Sequence, residues 1–234
     1  MSISAQFSQV DTWVFDLDQT LYPASCGLFP QIEKRMTAFV MQALDLPYEE
    51  ARAQQKAYFH QYGTTLKGMM LHHNTEAQAY LDFVHAVEYD LLPDGTALRV
   101  ALEKLPGRRL IFTAASRNHS DTVLERLGIA DLFEGCFDIV DADFTPKPQQ
   151  TAYDRFFAKH GVDGPKSAFF EDSARNLVPA KAMGMATVHV VPTGTPGGAA
   201  GLAAYMPQDA GASIDHSTTD VVECLEEIVG LCGK

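Results

Sequence analysis

Apolar and polar positions divide this chain of 234 residues into two textures. From Leu28 to about Leu105 the apolar residues recur at helical spacing. Ile32, Met36, Phe39, Val40 and Leu44 mark one stripe. Tyr58, Phe59 and Tyr62 mark a second, and Tyr80, Leu81, Phe83, Val84 and Val87 a third. No strand pattern interrupts them. After Pro106-Gly107 the texture changes to short apolar runs bounded by turn signals: Leu110–Phe112, Phe137–Val140, Ala168–Phe170 and Thr187–Val191. Helical patterns lie between them, near Asp121–Leu127, Thr151–His160 and Ala174–Met183, with a last one over Thr219–Leu231. Trp13–Phe15 reads as one more short buried strand. Strands alternating with helices predict an α/β fold, a parallel sheet covered on both faces. The helical block is then an insertion between the first and second strands. The Gly- and Ala-rich stretch Thr193–Gly201 is predicted to be a flexible surface loop. It fits neither a Walker nor a dinucleotide pattern.

Composition narrows the function. Hydrophobic residues make up 46% of the chain, enough for a sizeable core, and the net charge is -12. An acidic surface argues against a sequence-blind nucleic-acid binder or an anionic-membrane binder, which would need a basic patch. It leaves room for a small anionic ligand held by a few local donors. No apolar run approaches the roughly 20 residues that span a bilayer. Met1–Gln6 carries no basic segment leading into an apolar core, so no signal peptide is expected. Cys26, Cys136, Cys224 and Cys232 show no CxxC spacing and read as reduced thiols of a cytoplasmic protein.

The chemistry gathers where the strands end. Val14-Phe15-Asp16-Leu17-Asp18-Gln19-Thr20 places two aspartates two residues apart at the end of the first strand. Residues i and i+2 of an extended chain point the same way, so these carboxylates repel unless a cation sits between them. The second strand ends at Thr113, Lys147 follows the third within Thr145-Pro146-Lys147-Pro148, and the fourth ends at Glu171-Asp172-Ser173. Open α/β sheets bind ligands at their carboxyl ends. A carboxylate nucleophile, a hydroxyl donor, a lysine and an acidic pair are the set that phosphoryl transfer needs. A hard cation takes oxygen ligands, a lysine pairs with phosphate oxygens, and an aspartate can carry a phosphoryl group.

The four segments DLDQT, FTAAS, TPKP and FFEDS, in this order, resemble the haloacid dehalogenase-like hydrolase superfamily, over essentially the whole chain. Finer text, FDLDQTLYP, YGTTLKG (Tyr62–Gly68) and RNHSDTVLERLGIADLF (Arg117–Phe133), is similar to its pyrimidine 5'-nucleotidase branch. The resemblance implies a Rossmann-like core over residues 1–22 and 106–234, with a helical cap over 23–105. It implies a Mg²⁺-dependent phosphomonoesterase acting through an aspartyl-phosphate on a small phosphorylated metabolite, foremost a pyrimidine nucleoside 5'-monophosphate. Asp16 would be the nucleophile. Asp18 would be acid and then base, its carbonyl also touching Mg²⁺, with Thr20 orienting it. Thr113 and the N–H of Ala114 would donate to phosphate, and Lys147 would pair with phosphate and Asp16. Asp172 would ligate the metal, Glu171 beside it, and Asn176 would support that loop. Two positions depart from the branch: Ala114 stands where Asn is common, and Glu171-Asp172 where Asp-Asp is common. Tyr62, His73 and Asn74, with the Tyr62–Gly68 turn and His72, are the polar cap candidates for reading a base or ribose.

Plainer readings compete at each position. Asp16, Asp18 and Thr20 could cap a turn, Thr113 could close a strand end, and Lys147 could be a solvated loop residue. Asp141 and Asp143 read as exposed loop acids, and His119 as a helix-start residue and not a base. His72 and His73 lie about 100° apart on a helix, which argues against joint metal ligation. Tyr62, Met69 and Met70 also read as core. The rival activities are a metal-free 2-haloacid dehalogenase sharing Asp16, a phosphatase for phosphoglycolate or a sugar phosphate, a phosphomutase, and a regulatory binding protein on a retired scaffold.

Overall fold

A computed structural model describes residues 7–193 and 210–232, with 210, 231 and 232 described by backbone alone. Residues 194–201 of the Gly- and Ala-rich stretch, the first six residues and the Cys232 side chain lie outside the described set. Six parallel strands are arranged in the order β3-β2-β1-β4-β5-β6. They are β1 (Thr12–Phe15), β2 (Arg108–Phe112), β3 (Gly135–Phe137), β4 (Ser167–Glu171), β5 (Ala186–Val190) and β6 (His216–Thr218). The central β1 sets Val14 beside Leu110 on one neighbour and Phe169 on the other, so its end adjoins the ends of β2 and β4.

Among the described residues the α-helices are α1 (Leu28–Leu44), α2 (Tyr48–Tyr62), α3 (Thr65–His73), α4 (Ala77–Val84), α5 (Thr96–Glu103), α6 (Arg117–Arg126), α7 (Gln150–His160), α8 (Ala174–Ala182) and α9 (Val221–Cys232). Side chains alternate across each strand, and the sheet accordingly carries two cores. Trp13, Phe15, Ile111 and Phe170 face Leu98 and Leu102 of α5, Val123 of α6 and Leu225 of α9. Val14, Leu110, Phe112 and Phe169 face Tyr153 and Phe156 of α7 and Leu177 of α8. Burying such a side chain is worth about 1.5–3 kcal/mol, so the strand ends that carry the site rest on a stiff platform.

Several sequence-derived boundaries shift. The third strand ends at Phe137, and Asp138–Val140 belongs to the loop beyond it, because Ile139 turns outward to pack in the cap's cluster with Ile32, Leu66 and Tyr80. The weakly apolar β6, His216-Ser217-Thr218, carries no strand signal of its own and exists by pairing with β5. Within the block expected to form the cap, α5 packs against the sheet instead, since Leu98, Ala101 and Leu102 join the Phe15 and Ile111 cluster. The segment between α4 and α5 is therefore where the chain passes from cap to core. Met69 is fully buried among Val40, Ala51 and Tyr58 and is a cap-core residue.

Cap and core meet closely at the end of α2. Gly63 ends that helix at φ 87°, and a Cβ there would lie 2.8 Å from Pro146 Cγ. Gln149 also donates to the Tyr62 carbonyl at 3.4 Å. The Tyr62–Gly63 turn thus rests on the loop that carries Lys147.

Candidate active site

Asp16 follows β1 directly and stays tied to β4, its N–H donating to the Phe170 carbonyl at 2.9 Å. The chain then turns, with Gln19 at φ 63°. The two aspartate carboxylates diverge, and that of Asp18 lies outside the group formed by Asp16, Glu171 and Asp172. Asp16 faces Lys147, whereas Asp18 faces Tyr22 and His119.

Lys147 is buried, not solvated. Its Nζ donates at 2.7 Å each to Asp16 Oδ1, to Glu171 Oε2 and to the Phe112 carbonyl. Around it, oxygens of Asp16, Glu171 and Asp172 lie within 4.8 Å of one another. Asp16 and Glu171 thus share one ammonium, with the Asp172 carboxyl crowded beside them. Burial alone would lower the Lys147 pKa, but Asp16 and Glu171 win and raise it above its ordinary value. Asp16 moves the same way: burial and the Glu171 charge outweigh Lys147 and push it up to about 7. A strong pair would ordinarily lower the carboxylate. Here one cation cannot balance its neighbours, so the excess falls on the acids.

The excess is greatest at Asp172. Burial, Glu171 and Asp16 raise its carboxyl well above the carboxylate range. Both Glu171 oxygens are engaged, Oε2 by Lys147 and Oε1 by the Ser173 N–H at 3.1 Å. The Asp172 carboxyl meets Glu171 and accepts from Gln19 Nε2 at a long 3.4 Å, while its carbonyl accepts from His189 Nε2 at 3.0 Å. Asn176 is buried at the start of α8, its Oδ1 without a donor among the described residues. Hard oxygen donors, surplus negative charge and an under-bonded carboxylate fit a divalent cation such as Mg²⁺. Among the described residues the acids that can gather on one ion are Asp16, Glu171 and Asp172; the Asp18 carboxylate stands apart.

Thr20 donates to Asp16 Oδ2 at 3.3 Å, not to Asp18. Thr113 is buried and its Oγ1 accepts from the Ala115 N–H at 3.0 Å, which closes the strand end and leaves its own proton to give. Ala114 lies exposed at the same edge.

A family model described as "Hydrolase: haloacid dehalogenase-like hydrolase" matches residues 10–184. The chain belongs to the haloacid dehalogenase-like hydrolases. Phosphate metabolism protein 8 of Saccharomyces cerevisiae is 27% identical in an alignment of 199 residues that covers 76% of this chain and 60% of the yeast protein. The chain thus spans less than two thirds of that relative. A HAD phosphatase from Thermococcus onnurineus superposes with a TM-score of 0.61 at 16% identity, covering 94% of this chain and 98% of that one. L-2-haloacid dehalogenase from Xanthobacter autotrophicus, with chloropropionic acid covalently bound, gives 0.56 at 15% identity, covering 94% and 99%. One fold therefore hosts phosphatases and dehalogenases, and the site must discriminate between them.

The principal residue that sequence reasoning passed over is His119. It does start a helix, in the first turn of α6 behind the Ser116 cap. It is also buried, with Nε2 donating to Asp18 Oδ1 at 2.8 Å. Burial alone would raise the Asp18 pKa; His119 and the Tyr22 hydroxyl outweigh it and hold the carboxyl below its usual range. The signal that could have found His119 was its place just beyond the second motif. Among the cap candidates, the Tyr62 hydroxyl bonds His72 Nε2 at 2.5 Å, the Tyr58 hydroxyl bonds His73 Nε2 at 2.6 Å, and Asn74 ends α3 at φ 50°. Among the described residues no hydrogen bond carries His73 or Asn74 to the acidic cluster; of these candidates the Tyr62–Gly63 turn is the one in contact with the lysine loop. Asp141 is half-buried between Arg117 and Lys159, while Asp143 is exposed and pairs with Arg155.

Proposed function

We propose that the protein is a Mg²⁺-dependent phosphomonoester hydrolase of the cytoplasm, acting through an aspartyl-phosphate on a small phosphorylated metabolite. The observation that carries this reading is the surplus of carboxylates at one buried point, with a separately held second acid two residues from the nucleophile. Displacing a halide from an alkyl carbon needs neither a divalent cation nor an acid for the leaving group. Asp16, Asp172 and the Asp18 carbonyl would hold Mg²⁺, with Glu171 alongside. When bound, the ion supplies positive charge to the phosphoryl oxygens.

A carboxylate oxygen of Asp16 attacks phosphorus. The bridging P–O bond breaks, its electron pair goes to the leaving oxygen, and that oxygen takes a proton from Asp18. Asp18 then takes a proton from water as the water oxygen attacks phosphorus. The Asp16–phosphorus bond breaks and inorganic phosphate leaves. Lys147 keeps Asp16 aimed and paired throughout, and Thr113 with the Ala114 N–H donates to phosphoryl oxygens.

We place the substrate among pyrimidine nucleoside 5'-monophosphates, on the similarity of Tyr62–Gly68 and Arg117–Phe133 to that branch. The Tyr62–Gly68 turn supplies the cap's contact with the leaving group, His73 and Asn74 being proposed with it. The test is phosphate release from a panel of nucleotides, sugar phosphates and phosphoglycolate, with Mg²⁺ and with EDTA. Mg²⁺-dependent release, fastest from pyrimidine monophosphates, is expected. Efficient cleavage of phosphoglycolate or a sugar phosphate alone would move the substrate. Full activity in chelator with halide release from 2-haloacids would overturn the reading.

A further inference from the structure

We infer that His119 is a positioning residue for the second acid: with Tyr22 it clamps Oδ1 of Asp18, leaving Oδ2 to exchange the proton with the leaving group. The inference rests on the phosphatase reading above. Both donors to the carboxylate fall on the same oxygen. The Tyr22 hydroxyl reaches Oδ1 at 2.5 Å and His119 Nε2 reaches it at 2.8 Å. Oδ2 receives no hydrogen bond among the described residues, and the side chain keeps 16% exposure. A carboxylate gripped from two sides through one oxygen has lost its freedom to swing, and its other oxygen is fixed in place. Proton transfer needs the acid within hydrogen-bond reach of the reacting oxygen, so such a clamp acts directly on rate.

His119 is itself held. Ser116 Oγ accepts from its backbone N–H at 3.4 Å. Its ring stacks on His85 with centroids 4.4 Å apart and planes 20° apart. Its Nδ1 lies 2.9 Å from the Tyr89 hydroxyl, which donates to the His85 carbonyl at 3.0 Å. The His85 ring returns to Ser116 Oγ at 3.0 Å. His85 and Tyr89 belong to the segment between α4 and α5, where the chain passes from cap to core. The second acid is therefore held by Tyr22 and His119 and braced, through His119, by the segment that returns from the cap, whereas the nucleophile is held by Lys147.

The two halves of the site can be separated by leaving group. p-Nitrophenolate departs without a proton; an alkoxide does not. The constant kcat/KM reports the steps up to that departure. His119→Leu should lower kcat/KM for an alkyl phosphate by about a hundredfold or more, within the range that general acid catalysis supplies, and for p-nitrophenyl phosphate by less than about tenfold. His119→Gln, which can still present an N–H, should recover much of the alkyl phosphate activity. Should His119→Leu fail to fold, Tyr22→Phe removes the other donor on Oδ1 and should show the same selective loss, and Tyr89→Phe a weaker one. Equal losses on both substrates, or no loss on the alkyl phosphate, would overturn the clamp while leaving the phosphatase reading intact. A wild-type protein inert toward both phosphates with Mg²⁺ would overturn that reading itself.

Discussion

Lys147→Met is the sharpest perturbation of the network that defines this site. Methionine fills the aliphatic stem and keeps contact with the Phe112 and Phe169 rings, over which Nζ sits at 5.0 and 5.2 Å. It removes the ammonium. Three hydrogen bonds of 2.7 Å vanish, and Asp16 and Glu171 lose the one cation they share, at a point where the lysine side chain is 3% exposed. Breaking a buried pair from one side costs about 3–5 kcal/mol, because the surviving charge stays desolvated. That is a large part of the roughly 5–15 kcal/mol that holds a domain together. The corresponding fall in Tm is about 6–20 °C for a chain of this size. Urea unfolding in EDTA at pH 8 measures it. The double variant Lys147→Met/Glu171→Gln should lose less than the sum of the single variants by at least about 1 kcal/mol, since it removes one of the stranded charges. A loss below about 1 kcal/mol with strictly additive variants would refute the claim that these groups form one desolvated network.

Four further outcomes follow from the same geometry. A carboxyl raised to about 7 in the folded chain from 3.8 binds more protons folded than unfolded, so the Asp16 contribution to metal-free stability should be full below about pH 4 and be lost, by a few kcal/mol, as pH rises to about 7; Mg²⁺ should reduce that loss, and an Asp16→Asn variant with the same pH–stability profile in EDTA as the wild type would contradict it. Asp16→Asn should abolish turnover without lowering Tm at pH 8, because it removes a crowded charge, and Asp18→Asn should lower kcat about 10²–10⁴-fold; measurable steady turnover by Asp16→Asn would sink the covalent mechanism. Asp172→Ala should raise the Mg²⁺ concentration for half-activity more than Glu171→Ala does, and the reverse order in a Mg²⁺ titration would reassign the ligand. His73→Ala and Asn74→Ala should change discrimination among nucleotides more than p-nitrophenyl phosphate turnover, and unchanged selectivity in both would remove them from the substrate contact.

What the chain encodes locally was readable from it. Apolar runs of strand length and stripes at helical spacing follow from which faces must leave water, so the alternating α/β core and a helical insertion after the first strand were legible. The acids and the lysine at strand ends could be read because one motif follows another along a parallel sheet, whose geometry carries successive ends to one edge. Partners far apart in sequence could not be read. The amphipathic face of α5 has the same letters whether it packs in a cap or on a sheet, and only the packing with Phe15 and Ile111 decides. β6 has no strand signal because its identity comes from pairing with β5. The split between Asp16 and Asp18 depends on the partners each meets, Lys147 for one and His119 for the other, 131 and 101 positions away. His119 read as a helix-start residue because its local bond is to Ser116, while its chemistry comes from Asp18, 101 positions earlier. Periodicity records which face of an element is buried; the identity of the group it meets is settled only when the chain closes on itself.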